Sequence, residues 1–125
     1  SGCILRVLRS LAITVVDAGP ERLEFPTLGL SILAVPDQLG APLPRLETDP
    51  AARWNVLCIH GEVPGILPND RGEGERSVRE VPLTAFERGA WDYVALGHYH
   101  VHRQVAERAW YAGAIEYTSN NTWLE

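Results

Sequence analysis

The residues best suited to chemistry in this chain are its histidines, because two apolar runs end in them. Val56-Leu57-Cys58-Ile59 runs into His60-Gly61, and Tyr93-Val94-Ala95-Leu96 runs into Gly97-His98-Tyr99-His100. Short, continuously apolar runs read as strands covered on both faces. Layered α/β sheets gather their ligands at the carboxyl ends of such strands, so neighbouring strands would bring His60, His98 and His100 into one crevice. In extended backbone His98 and His100 point to the same side, roughly 6–7 Å apart by strand rise, and can grip one metal or two adjacent ones. Gly97 lets the backbone turn sharply and approach without a Cβ. Neutral imidazole suits zinc, iron and nickel, whereas manganese also wants oxygen donors.

Each histidine also has an ordinary explanation. A single His60 at a strand end is commonly a satisfied polar residue, and alternation alone would put His98, His100 and His102 on one wet face. For His102 that is the preferred explanation. For His60, His98 and His100 together the metal explanation is stronger, since chance does not readily end two core strands in histidine beside glycine. Three imidazoles on their own admit a mononuclear hydrolytic zinc with water in the fourth position.

The elements that must position these residues follow from periodicity and turn chemistry. Residues 3–12 space Ile4, Leu5, Leu8, Leu11 and Ala12 as an amphipathic helix expected to pack. The β-branched run 13–16 predicts a strand, and 17–20 a turn. Residues 23–25 and 28–35 predict a hairpin, and the prolines between 36 and 50 a stiff irregular connection. Asp49 and Pro50 fit the start of a single helical turn. Strands follow at 54–59 and 92–96. Between them lie a long exposed loop over 62–78 and a short helix over 82–88, closed by Gly89 as a left-handed cap. Short strands at 101–106 and 109–112 and a polar turn at 119–121 complete the reading, with no internal repeat.

Composition bounds the function. The chain has 125 residues, 46% hydrophobic and 22% charged, enough for one α/β domain with a core. Its apolar runs fall far short of the roughly 20 residues that cross a bilayer, so a soluble protein without a membrane partner is expected. A formal charge of −5 excludes a generally basic nucleic-acid surface as the main feature. Cys3 and Cys58 do not suggest a disulfide framework, which favours a reducing compartment and a cytoplasmic location. There is no Met and no Lys, and the chain reads as a piece of a longer protein.

The run Trp91-Asp92-Tyr93-Val94-Ala95-Leu96-Gly97-His98-Tyr99-His100, with Val56-Leu57-Cys58-Ile59-His60-Gly61 before it and Tyr111-Ala112-Gly113-Ala114 after it, resembles the calcineurin-like metallophosphoesterases. Within them it is most similar to SbcD-type DNA-repair exonuclease subunits. The resemblance covers nearly the whole chain as the central segment of that domain and implies part of a four-layered α/β sandwich lacking its N-terminal segment, so that residues 1–125 form a single partial domain. It implies a hydrolase acting on phosphodiesters such as DNA through two divalent metals, usually Mn2+, with Zn2+, Fe2+ and Mg2+ as alternatives. His60 and His98 would bind one metal and His100 the other. The family's Asp-x-His, Gly-Asp and Gly-Asn-His motifs, which supply the remaining ligands and a general-acid histidine, do not occur here, so the fragment alone is expected to be inactive. Val101 and His102 depart from the basic residue and proline often found after the motif. Tyr99 and Arg103 are candidate substrate contacts, though Tyr99 could simply pack and Arg103 simply be solvated. Asp17 and Asp37 follow strand-like runs, and turn or capping roles explain them adequately. The resemblance also suggests an SMC-like ATPase partner, and a homodimer is possible. A non-catalytic interaction domain that kept the fold and lost the chemistry is the contrasting reading.

Overall fold

The computed structural model describes residues 4–38, 40–66, 79–87 and 89–115. It is a mixed α/β structure built on one six-stranded sheet with few helices. The strands are β1 (Glu21–Phe25), β2 (Leu30–Val35), β3 (Trp54–His60), β4 (Tyr93–Gly97), β5 (Arg103–Ala106) and β6 (Ala109–Tyr111), in the order β1-β2-β3-β4-β6-β5. The four inner strands β2, β3, β4 and β6 pair in parallel, and β1 and β5 close the edges antiparallel. Among the described residues the one α-helix, α1 (Thr84–Glu87), lies in the connection between β3 and β4. No described helix is long and apolar enough to cross a membrane.

Register explains the core. Leu33, Leu57, Val94 and Ala109 form one cross-strand row, and Val35, Ile59, Leu96 and Tyr111 the next. All eight are buried, because period-2 alternation puts both rows on one face. Val63, Val81, Phe86 and Trp91, from the β3–β4 connection, cover that face. At the amino end Asn55 is held on three sides. Its backbone N donates to Asp92 Oδ2 at 2.7 Å, its Oδ1 accepts from Asp49 N at 2.7 Å, and its Nδ2 donates to Asp49 O at 3.0 Å.

The opposite face differs from the expectation of two-sided burial. Its rows, Leu23-Ile32-Val56-Tyr93 and Ala34-Cys58-Ala95-Trp110, are half-buried or exposed. The apolar sequence can be buried on both sides, but the described residues place their large covering side chains on one. Burial still pushes the Cys58 thiol up, so at neutral pH it stays protonated and behaves as a small apolar group.

Several local expectations hold. The hairpin forms, turning through a short 3₁₀ helix (Pro26–Leu28) and Gly29, whose φ of 61° is the left-handed conformation glycine tolerates. Asp49 caps a turn by accepting from Ala51 N at 2.9 Å. The two C-terminal strands pair around Glu107 and Arg108 with an irregularity between Gln104 and Ala106.

Others are corrected. The opening helix is a 3₁₀ helix (Ile4–Leu11) with no buried residue, so it does not pack; a short helix without a tertiary partner has little to hold it in α geometry. Residues 13–16 form no strand, since this backbone serves the preceding turn: Ile13 N donates to Leu8 O, and Val15 O accepts from Arg9. The 62–78 loop is not uniformly exposed. Val63 is buried, and Glu62 bridges in parallel to Glu80. Gly89 is not left-handed. It is required because a Cβ there would lie 2.4 Å from the Trp91 indole nitrogen. Residues 67–78 and the turn expected at 119–121 lie outside the described residues.

Two predictions follow from this packing. Leu57, fully buried at the centre of the sheet, should cost about 2–5 kcal/mol when replaced in Leu57→Ala, read as a lower urea midpoint. The opening 3₁₀ helix is tied by Arg6 and Arg9 to Asp17, and the hydrogen bond from Arg6 holds the Asp17 carboxyl below its ordinary value of 3.8. A carboxylate with a depressed pKa contributes fully above the ordinary range and loses that contribution as pH falls through the depressed value. Amide protection factors over residues 4–11 should therefore fall as pH drops below that range, and Asp17→Asn should show the lowered protection already at neutral pH.

Candidate functional site

Parallel pairing brings three strand ends to one edge. Val35 is paired with Ile59 and Ile59 with Leu96, so the residues that end β3 and follow β2 and β4 emerge side by side. They are Asp37, His60 and His98. His60 is paired with Gly97, and its imidazole lies over that glycine: a Cβ on Gly97 would sit 3.1 Å from His60 Cδ2. The absent side chain at 97 is what leaves room for the ring. The sharp backbone turn falls one residue later, at His98, with φ 132°. A non-glycine residue there is strained, and such conformations persist only where surrounding contacts over-determine them.

The His60 and His98 rings meet edge to face, with centroids 5.5 Å apart and planes at 78°. Asp37 Oδ2 lies 3.5 Å from His60 Nδ1. With the proton on Nδ1, this contact keeps Nε2 as the lone-pair nitrogen, the arrangement by which carboxylates orient metal-binding imidazoles. His98 is half-buried with its Nε2 shielded from solvent. Beside them a shallow cleft of about 310 Å³ is lined by Val16, Ala34, Pro36, Cys58, His60 and Ala95, among others.

The extended backbone expected to put His98 and His100 on one side does not continue to His100. β4 stops at Gly97 and the chain turns at His98, so the alternation argument ends there; His100 is exposed. Among the described residues no group of three or more His, Cys, Asp or Glu side chains is arranged to hold a metal ion. The centroid spacing of 5.5 Å is of the order of 5–6 Å at which a cation about 2.1 Å from one nitrogen of each ring would join two imidazoles. His60 and His98 would be two of its ligands, and the others must come from outside this pair.

Tyr99 packs between His98 and Tyr111, with centroids at 4.8 and 4.6 Å, and lies against the core. Arg103 is exposed at the start of edge strand β5, paired with Tyr111 and thus at the same end of the sheet. His102 is exposed and stacks on Trp110, with centroids 5.2 Å apart and planes at 12°. Asp17 is committed to Arg6 and Arg9.

Comparison with protein-family models, curated proteins and solved structures finds no match. The site is therefore argued from its own geometry.

Sequence reasoning undervalued Asp37, whose turn position concealed that β2 ends beside β3. It also passed over Tyr111, a hydroxyl-bearing ring in a short buried strand, where the hydroxyl needs a partner. Since Gly97 admits the His60 ring, Gly97→Ala should displace it while the sheet remains folded. The expected signs are loss of the His60–His98 ring-to-ring NOE and unchanged far-UV circular dichroism.

Proposed function

We propose that this chain is the histidine-bearing part of a metal-dependent phosphoesterase, a hydrolase acting on phosphodiesters such as DNA, within a larger four-layered α/β sandwich. The observation that carries this reading is the pair His60 and His98, delivered by adjacent parallel strands to one sheet edge with rings 5.5 Å apart. The Trp91–His100 run and the half-exposed second sheet face agree with it, since parallel sheets ordinarily have both faces covered.

Two bound cations would supply charge neutralisation at the phosphoryl oxygens and an acidified water. The chain's own contribution is to hold nitrogen donors in place. His60 and His98 bind without cancelling the metal's charge, because neutral imidazole brings none. Asp37 orients the His60 ring. Oxygen donors, which manganese prefers, would come from other parts of the protein, with His100 available to a second cation. Arg103 remains the substrate contact of this reading, through its charge at the same end of the sheet, whereas Tyr99 packs, with its hydroxyl shielded from solvent.

The protein carrying residues 1–125, supplied with Mn2+ and a DNA phosphodiester, is expected to cleave it. His60→Ala and His98→Ala should each lower the rate by more than the roughly 10–100-fold that supporting residues cost. Manganese-stimulated cleavage that survives both substitutions removes the reading. Elemental analysis giving two metals per complete domain supports it, and one metal favours a mononuclear zinc hydrolase.

A further inference from the structure

We propose that Tyr111 is the positioning residue of the His60–His98 pair, acting on one histidine through the backbone and on the other through stacked rings. Its link to metal affinity rests on the phosphoesterase reading; its effect on ring geometry does not.

Tyr111 lies on β6, paired with Leu96, and is fully buried. Its hydroxyl donates to Gly61 O and accepts from Val63 N, both at 2.9 Å. One phenol thus bridges the two ends of the three-residue turn that leaves β3. That turn has little freedom elsewhere: Gly61 N donates to Gly97 O at 3.0 Å, and a Cβ on Gly61 would lie 2.7 Å from Val81 Cγ2 and 3.0 Å from Arg79 O. His60 is therefore held by the sheet ladder before it and by the tyrosine clamp after it.

The same ring reaches His98 by contact. Tyr111 meets Tyr99 with planes at 65°, and Tyr99 meets His98 with planes at 48°. This stack presses on the residue whose φ of 132° needs outside support. The segment after Tyr111 grips the far side of the turn. Ala114 N donates to His100 O at 3.0 Å, and at Gly113, with φ 80°, a Cβ would lie 2.8 Å from His102 N and 3.2 Å from His100 O, so glycine is what lets the chain pass there. A buried phenol needs a hydrogen-bond partner wherever it sits; what marks this one is the place of its partners. Here the hydroxyl joins two backbone atoms immediately following a candidate ligand.

The test uses the full chain and the variants Tyr111→Phe, which keeps the ring, and Tyr111→Leu, which removes ring and hydroxyl. In the metal-free chain, Tyr111→Phe is expected to shift the His60 imidazole resonances and weaken the His60–His98 NOE while the His98–Tyr99 NOE persists. Tyr111→Leu should lose both NOEs. Zn2+ titration should show affinity reduced about 10–100-fold in Tyr111→Phe. Unchanged His60 signals and an unchanged His60–His98 NOE in Tyr111→Phe overturn the proposal. If the wild-type chain binds no Zn2+ through His60 and His98, the metal reading fails, while the NMR comparison still decides the role of Tyr111. Should Tyr111→Phe lose its fold by circular dichroism, 3-fluorotyrosine at position 111 takes its place, because it weakens hydrogen-bond acceptance and keeps the shape. The same His60 shifts then support the proposal, and their absence overturns it.

Discussion

The candidate site depends on the in-register parallel pairing of β2, β3 and β4. Because Val35, Ile59 and Leu96 share a row, the three strands end level with one another and release Asp37, His60 and His98 at one edge. A one-residue slip of β3 would turn His60, Cys58 and Val56 to the other face and expose Leu57 and Ile59. Burial of the core rows and placement of the histidine are thus one constraint: the free energy that buries Leu57 also holds His60 in register.

The site itself is a place of close approach and strain, stabilised by its surroundings. Gly97 makes room for an imidazole, and Gly61 fits against Val81 and the Arg79 carbonyl. His98 occupies a backbone conformation that non-glycine residues rarely adopt. These features are tolerable because the turn after β3 and the turn after β4 are joined through Tyr111, whose hydroxyl is satisfied on both its donor and acceptor sides. Rigid side-chain placement of this kind suits a binding pair better than a solvated surface does.

The second sheet face gives the fold its asymmetry. Tyr93 and Trp54 stand about half exposed beside Ala34, Cys58 and Ala95. The continuous apolar runs in β3 and β4 are patterned for cover on both sides, yet among the described residues of the β3–β4 connection the buried side chains Val63, Val81, Phe86 and Trp91 lie on one. His60 shares the half-open face with Cys58, which is why its ring stays accessible while Ile59 next to it is buried.

The sequence by itself determined the existence and approximate extent of the main strands, the hairpin, and the placing of histidines at two strand ends. These are local consequences of period, turn chemistry and residue type. Tertiary structure decided what local pattern cannot carry. It decided that 13–16 stays out of the sheet, because its backbone serves the turn before it. It decided that the helix before it stays exposed, because nothing packs on it. The alternation that would align His98 with His100 ends because the chain turns at His98 instead of continuing β4. Asp37 meets His60, and Tyr111 reaches Gly61, only because β2, β3, β4 and β6 lie in this order. Such contacts join residues 23 and 50 positions apart along the chain, and no periodicity within one segment encodes which distant segment becomes its neighbour.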